Sequence, residues 1–231
     1  MKKAKALIFD FGGTLDIDGV HWYDLWKEGY RSIGLDIGEK TLEDAYYDAE
    51  ENLNKAPALD VNYRSLILLK ADLQLKFIYS RNISVKPPLK IVANQLAGFC
   101  YTEVLKGAKK SLKVLHRLNH SYKNAVVSNF YGNLNIVLKE LQLFDYFDTT
   151  VDSKTENIRK PDAQIYLLAA KRLGVQPEDC VFVGDSYPQD IIPSKDLGFG
   201  TIMIRKKEDD LSAYPKADLI IKSVETLTDY L

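Results

Sequence analysis

The sequence predicts an α/β protein, a doubly wound parallel β-sheet carrying an inserted α-helical bundle. Three observations carry that expectation. From about residue 103 to the end, short wholly apolar runs alternate with amphipathic helical patterns, as in a parallel sheet covered on both faces. One further apolar run, Ala4–Phe9, stands near the start. Between the two regions lie four helical patterns in succession, without a convincing strand, and such helices can bury their stripes on one another. The expected division is therefore 1–15 with 103–231 as the sheet domain and 16–102 as a helical cap.

The elements follow in order. Ala4–Phe9 is the first strand. Trp22, Leu25, Trp26 and Ile33 share one helix face, and Leu42, Ala45, Tyr46, Ala49 and Leu53 another. Leu66, Leu69, Leu73 and Phe77 form a third stripe. Val92, Leu96 and Phe99 form a fourth, entered through Pro87-Pro88. Lys110–Leu118 reads as a helix and Asn124–Ser128 as a buried strand. Helix Leu134–Leu143, strand Thr149–Asp152 and helix Ala163–Leu173 come next, the last stopped by Gly174. Cys180–Gly184 is a strand, and Ile191–Leu197 a helix stopped by Gly198. Strands Thr201–Ile204 and Leu219–Ile221 and a helix over Val224–Leu231 complete the chain.

Bulk properties exclude several classes. The net charge is −1, and no basic stripe is present, so nucleic acid is not an expected partner. No stretch is apolar over the length that a bilayer needs. Cys100 and Cys180 sit apart in apolar contexts and read as reduced core residues of a cytoplasmic protein.

In such sheets ligands bind beyond the carboxyl ends of the strands. The first strand delivers Asp10 there, the second Ser128 and Asn129, and the fourth Asp185, with Asp190 just after it. Lys160 opens a following helix. Singly, each has an ordinary reading as a turn, cap or strand-end residue. Together they suit a phosphate and a divalent cation. Mg²⁺ prefers oxygen ligands, which Asp10, Asp185 and a backbone carbonyl near Gly12 could supply. Gly13, Thr14, Ser128, Asn129 and Lys160 would hold the phosphoryl oxygens, and Asp190 would support the site.

Four segments in order, Asp10-Phe11-Gly12-Gly13-Thr14-Leu15, Val126-Val127-Ser128-Asn129, Arg159-Lys160-Pro161-Asp162 and Val183-Gly184-Asp185-Ser186, resemble the motifs of the haloacid dehalogenase (HAD) superfamily. The resemblance covers essentially the whole chain, and the helical insert is similar to the cap of one branch. It implies a Rossmann-like core and a Mg²⁺-dependent phosphatase of small phosphorylated metabolites. Asp10 would attack phosphorus and become an aspartyl-phosphate. The family's second aspartate, the general acid and base, is replaced by Gly12. Alternatives are a weak or inactive member that binds a phospho-ligand or protein partner, and a dehalogenase- or phosphonatase-type hydrolase. The last would use a cap lysine, with Lys40 and Lys55 as candidates that nothing nearby supports. Asp16 or Asp18 could substitute for the missing acid, although both read better as loop residues. His21, Tyr23, Arg64 and Arg81 are candidate substrate-choosing residues of the cap.

Overall fold

The structure is a computed structural model and describes residues 4–81, 88–206 and 211–231. The apolar runs become β1 (Ala6–Phe9), β2 (Lys123–Ser128), β3 (Thr149–Asp152), β4 (Cys180–Gly184), β5 (Gly200–Ile204) and β6 (Leu219–Ile221). They form one six-stranded sheet in the order β3-β2-β1-β4-β5-β6, with every pairing parallel. Phe9 is in register with Val126 on one side and Val183 on the other. The chain therefore leaves β1 in one direction and returns on its opposite side at β4. That reversal opens a crevice at the carboxyl ends of β1 and β4.

Pleating sends successive side chains to opposite faces. Leu7 and Phe9 of β1 join one core, with Val126, Val183 and Ile202. Ala6 and Ile8 join the other, with Val127, Phe182 and the Ile165, Tyr166 and Ala169 stripe of a helix on that face. This double burial explains why the strands read as unbroken apolar runs.

The insert consists of α1 (Trp22–Ser32), α2 (Glu39–Lys55), α3 (Tyr63–Ser80) and the first part of α4 (Leu89–Leu118). In α2 the buried residues are Leu42, Ala45, Tyr46, Ala49 and Leu53, as the spacing predicts. In α3 the buried face is displaced. Leu66 is buried, but Leu69, Leu73 and Phe77 are only half-buried, while Ile67, Lys70, Ala71, Gln74 and Ile78 point inward. Two polar residues on the inward face misled the apolar pattern.

The helices expected at Val92–Phe99 and Lys110–Leu118 are one continuous helix, and residue 103 lies within it. Pro88 precedes this helix, whereas Pro87 lies outside the described residues. Gly107 is required there. A Cβ on it would stand 2.0 Å from the Asp16 carbonyl oxygen, so only glycine lets the helix touch the loop after β1.

The remaining helices are α5 (Leu134–Glu140), α6 (Ser153–Glu156), α7 (Ala163–Leu173) and α8 (Ile192–Asp196). Tyr187–Ile191 winds as a wider π turn ahead of α8, where the sequence predicts a plain helix from Ile191. The expected final helix is a 3₁₀ segment, Val224–Asp229. No described helix is long and apolar enough to cross a membrane. Both cysteines are buried and unpaired, and burial raises both thiols, so neither is a ready nucleophile.

Candidate active site

The crevice at the strand ends opens into a cavity of about 370 Å³ between sheet and insert. Its floor holds Asp10, Gly12, Ser128, Asn129, Lys160, Asp185 and Asp190. Its walls include Trp22, Tyr46, Tyr63, Phe130, Tyr131 and Lys70.

Asp10 follows β1 directly, and its amide donates to the Val183 carbonyl of β4 at 2.8 Å. Lys160 reaches across the crevice and binds both Asp10 Oδ1, at 2.5 Å, and Asp190 Oδ1, at 2.6 Å. All three side chains are almost fully buried. Burial acts against a charge on Lys160, but the Asp10 and Asp190 carboxylates outweigh it and hold the ammonium protonated. Burial also pushes Asp10 above the usual carboxylate range, and Lys160 opposes this.

Asp185 completes the cluster. Carboxylate oxygens of Asp10, Asp185 and Asp190 all lie within 4.8 Å of one another. Enclosure and the neighbouring Asp10 and Asp190 charges push Asp185 well above its ordinary range. Three carboxylates thus meet one bonded ammonium, a balance that suits a hard divalent cation among oxygen donors.

Thr14 and Gly13 act behind this cluster. The Thr14 hydroxyl lies 3.2 Å from Asp10 Oδ2 and 3.3 Å from Asp185 Oδ1, linking the two acids. Gly13 has φ +94°, and a Cβ there would come within 2.4 Å of the Asp185 carboxylate. Both stand behind Asp10 and Asp185 and are not among the residues that line the cavity. Asn129 lines the cavity, but its amide is engaged elsewhere. It accepts from the Lys160 amide at 2.8 Å and donates to the Lys160 carbonyl at 3.0 Å, which fixes the lysine's loop. Ser128, at the end of β2, lines the cavity directly.

The space beside Gly12 holds the Trp22 indole, whose nearest atoms are 3.8 Å from where a Cβ would stand. Asp16 and Asp18, read from sequence as loop residues, are both buried. Asp18 clamps the fold: it accepts from the Val224 amide at 2.7 Å and from Lys110 at 2.7 Å. Asp16 Oδ1 accepts from the Gly13 amide at 2.7 Å and Oδ2 from Trp22 Nε1 at 2.8 Å. The Tyr63 hydroxyl also donates to Asp16 Oδ2.

The insert contributes a cluster that the sequence reading missed. Lys70 binds Glu50 at 2.7 Å and lies 4.7 Å from the Tyr131 ring centre, while the Tyr131 hydroxyl donates to the other Glu50 oxygen. The sequence carried no clear signal, since a lysine in an amphipathic helix reads as solvent-facing, and only the packing of α3 turns Lys70 inward. Of the expected substrate-choosing residues, His21 lines the cavity and also caps α1. Tyr23 lines a neighbouring cavity, and Arg64 and Arg81 are exposed away from both. Lys40 and Lys55 are exposed and paired with Asp44 and Glu51.

The chain is similar to known proteins in sequence and in fold. The family model of haloacid dehalogenase-like hydrolases matches residues 4–198. The chain is 30% identical to a glyceraldehyde 3-phosphate phosphatase of Methanopyrus kandleri, over 87% of this chain and 84% of that protein. It is 32% identical to haloacid dehalogenase-like hydrolase domain-containing protein 3 of Danio rerio, over 52% of this chain and 50% of that protein. The chain thus spans about half the length of that relative. Among solved structures, a dehalogenase with an intermediate complex superposes with a TM-score of 0.66 at 19% identity, covering 100% of this chain and 98% of that one. A HAD phosphatase from Thermococcus onnurineus superposes at 0.56 and 21% identity, covering 97% and 96%.

Proposed function

This chain belongs to the haloacid dehalogenase-like hydrolases, and from that premise we propose that it hydrolyses small phosphomonoesters in a Mg²⁺-dependent reaction through an aspartyl-phosphate at Asp10. The observation that carries this reading is the Lys160 bridge between Asp10 and Asp190, beside Asp185, on the floor of one enclosed cavity.

Asp10 is the nucleophile, since its carboxylate projects from the strand end into the cavity and Lys160 fixes one of its oxygens. Lys160 also offsets the repulsion between this carboxylate and an anionic phosphoryl group. Ser128 donates to a phosphoryl oxygen, and Asn129 holds Lys160 in place. Asp10, Asp185 and the Gly12 carbonyl would hold Mg²⁺, with Asp190 adjacent. Bound there, the cation would neutralise charge on the phosphoryl oxygens. The Glu50–Lys70–Tyr131 cluster contacts the part of the substrate that is not phosphate. The phosphatase relatives support the substrate class.

A dehalogenase reading fits less well. Displacement of a halide by a carboxylate needs no divalent cation, whereas the three clustered carboxylates suit one. The reading of a silent phospho-ligand binder rests on Gly12, which brings no proton-transferring side chain. A panel of alkyl, aryl and acyl phosphates with Mg²⁺ separates these. Turnover that Asp10→Asn abolishes is expected. Phosphate binding without turnover of any member, in both chains alike, would replace the phosphatase reading with the binding one.

A further inference from the structure

Gly12 leaves the position two residues after Asp10 without a side chain, yet a further buried carboxyl, Asp16, stands close by. Asp16 Oδ1 lies 2.7 Å from the amide of Gly13, the residue next to Gly12. Its other oxygen receives the Trp22 indole N–H and the Tyr63 hydroxyl. Asp16 is fully buried and does not line the cavity, whereas Trp22 and Tyr63 do, alongside Asp10 and Lys160. Tyr63 therefore stands between the cavity and Asp16. A mere loop clamp needs no such outlet, and Asp18 makes the contrast. Its partners Lys110, Ser223 and Val224 do not line the cavity.

We propose that Tyr63 and Asp16 form a proton relay that replaces the missing acid and base, with Tyr63 touching the substrate and Asp16 acting through it as a proton store. The relay rests on the phosphatase reading. In the first step an Asp10 oxygen bonds to phosphorus and the bond from phosphorus to the leaving oxygen breaks. The leaving oxygen takes the Tyr63 hydroxyl proton, and Tyr63 takes the proton of Asp16. In the second step water bonds to phosphorus and the aspartyl oxygen–phosphorus bond breaks. The water proton passes to Tyr63, the Tyr63 proton passes to Asp16, and free phosphate and Asp10 are restored. Burial supports this cycle by pushing Asp16 up to about 6, where a carboxyl exchanges protons readily near neutrality.

The relay can be separated from a structural role by leaving group. Tyr63→Phe keeps the ring contacts with Phe11, Trp22 and Phe130 and removes only the hydroxyl. Rates with Mg²⁺ are measured for glycerol phosphate and nitrophenyl phosphate, in the steady state and in the first turnover. Glycerol phosphate turnover is expected to fall by roughly 10²- to 10⁴-fold in the variant, the range for losing a general acid–base group. Nitrophenolate needs no proton to leave. The variant should therefore release a stoichiometric burst of it, then turn over far more slowly than the unaltered chain. Adding Gly12→Asp to Tyr63→Phe should recover most of the glycerol phosphate rate. A Cβ at Gly12 meets only ordinary contacts with Trp22, so an aspartate fits at this position two residues after Asp10. Equal losses on both substrates without a burst, or no loss on either, overturn the relay while leaving the phosphatase reading intact. Absence of turnover of both substrates by the unaltered chain overturns the phosphatase reading, and the relay with it.

Discussion

At the scale of single residues, the floor of the site holds more negative charge than its one bonded lysine offsets. The cost falls on Asp185. Its proton affinity is raised in the fold by enclosure and by Asp10 and Asp190, so ionising it weakens the folded state. That contribution is absent below the ordinary carboxylate range and grows as pH rises toward the raised folded value. Asp185→Asn, which can keep the Thr14 contact, is therefore expected to raise the melting temperature of the metal-free protein at neutral pH. The gain should vanish in acid, as melting curves across pH would show. An unchanged or lower melting temperature at neutral pH would mean that Asp185 is already compensated.

The same residues were largely legible in the sequence, because apolar strands that end at Ser128 or just before Asp10 and Asp185 announce a strand-end site. The contacts of Thr14, Gly13 and Asn129 with Asp10, Asp185 and Lys160 were not legible. They depend on which side chain turns toward which, and that is fixed by packing from other elements. The burial of the loop residue Asp16 was not legible for the same reason, since its partners Trp22 and Tyr63 arrive from α1 and α3.

At the scale of elements, α3 decides how the insert meets the site. Its inward face carries Tyr63, Lys70 and Gln74. Tyr63 and Lys70 line the cavity, and their polar atoms are bonded to Asp16 and Glu50. Gln74 is fully buried, and neither end of its amide has a partner among the described residues. Gln74→Met should therefore stabilise the protein, by on the order of 1 kcal/mol in denaturant titration, since an unsatisfied buried amide costs that much or more. Lys70→Met is expected to behave differently. It removes the ammonium from the wall while keeping much of the apolar stem, so KM for the best phosphomonoester should rise more than kcat falls. A fall in kcat alone would place Lys70 in the chemistry instead of in recognition.

The reading of α3 from sequence went one row astray because leucines outnumbered the polar residues that actually face inward. The reading of α4 broke one helix in two because the stretch between its two apolar stripes includes Glu103, Lys106 and Gly107. Gly107 suggests a break in a sequence, yet here it is the point where the helix touches the loop after β1.

At the scale of the whole molecule, the sheet's reversal at β1 and β4 and the insert together enclose one polar floor under aromatic walls. The insert is tied to the core near that floor. The Leu59 amide donates to the Tyr131 carbonyl at 2.8 Å, and Asn133 donates to the Val61 carbonyl at 2.7 Å. Residues from the β2 loop and the insert therefore share the cavity wall. Binding of Mg²⁺ to the three-carboxylate cluster should raise the melting temperature with increasing Mg²⁺ concentration, because a ligand that binds only the folded state stabilises it. That rise should be lost when Asp185 is replaced by Asn.

The central claim is that Asp10 takes up the phosphoryl group. It is tested most directly by mixing the protein with Mg²⁺ and a radiolabelled phosphomonoester that it turns over, then quenching in acid and locating the label. The account predicts acid-stable, base-labile label on the peptide that carries Asp10, and none in Asp10→Asn. Release of labelled phosphate without any label on that peptide, or equal labelling of Asp10→Asn, would contradict it.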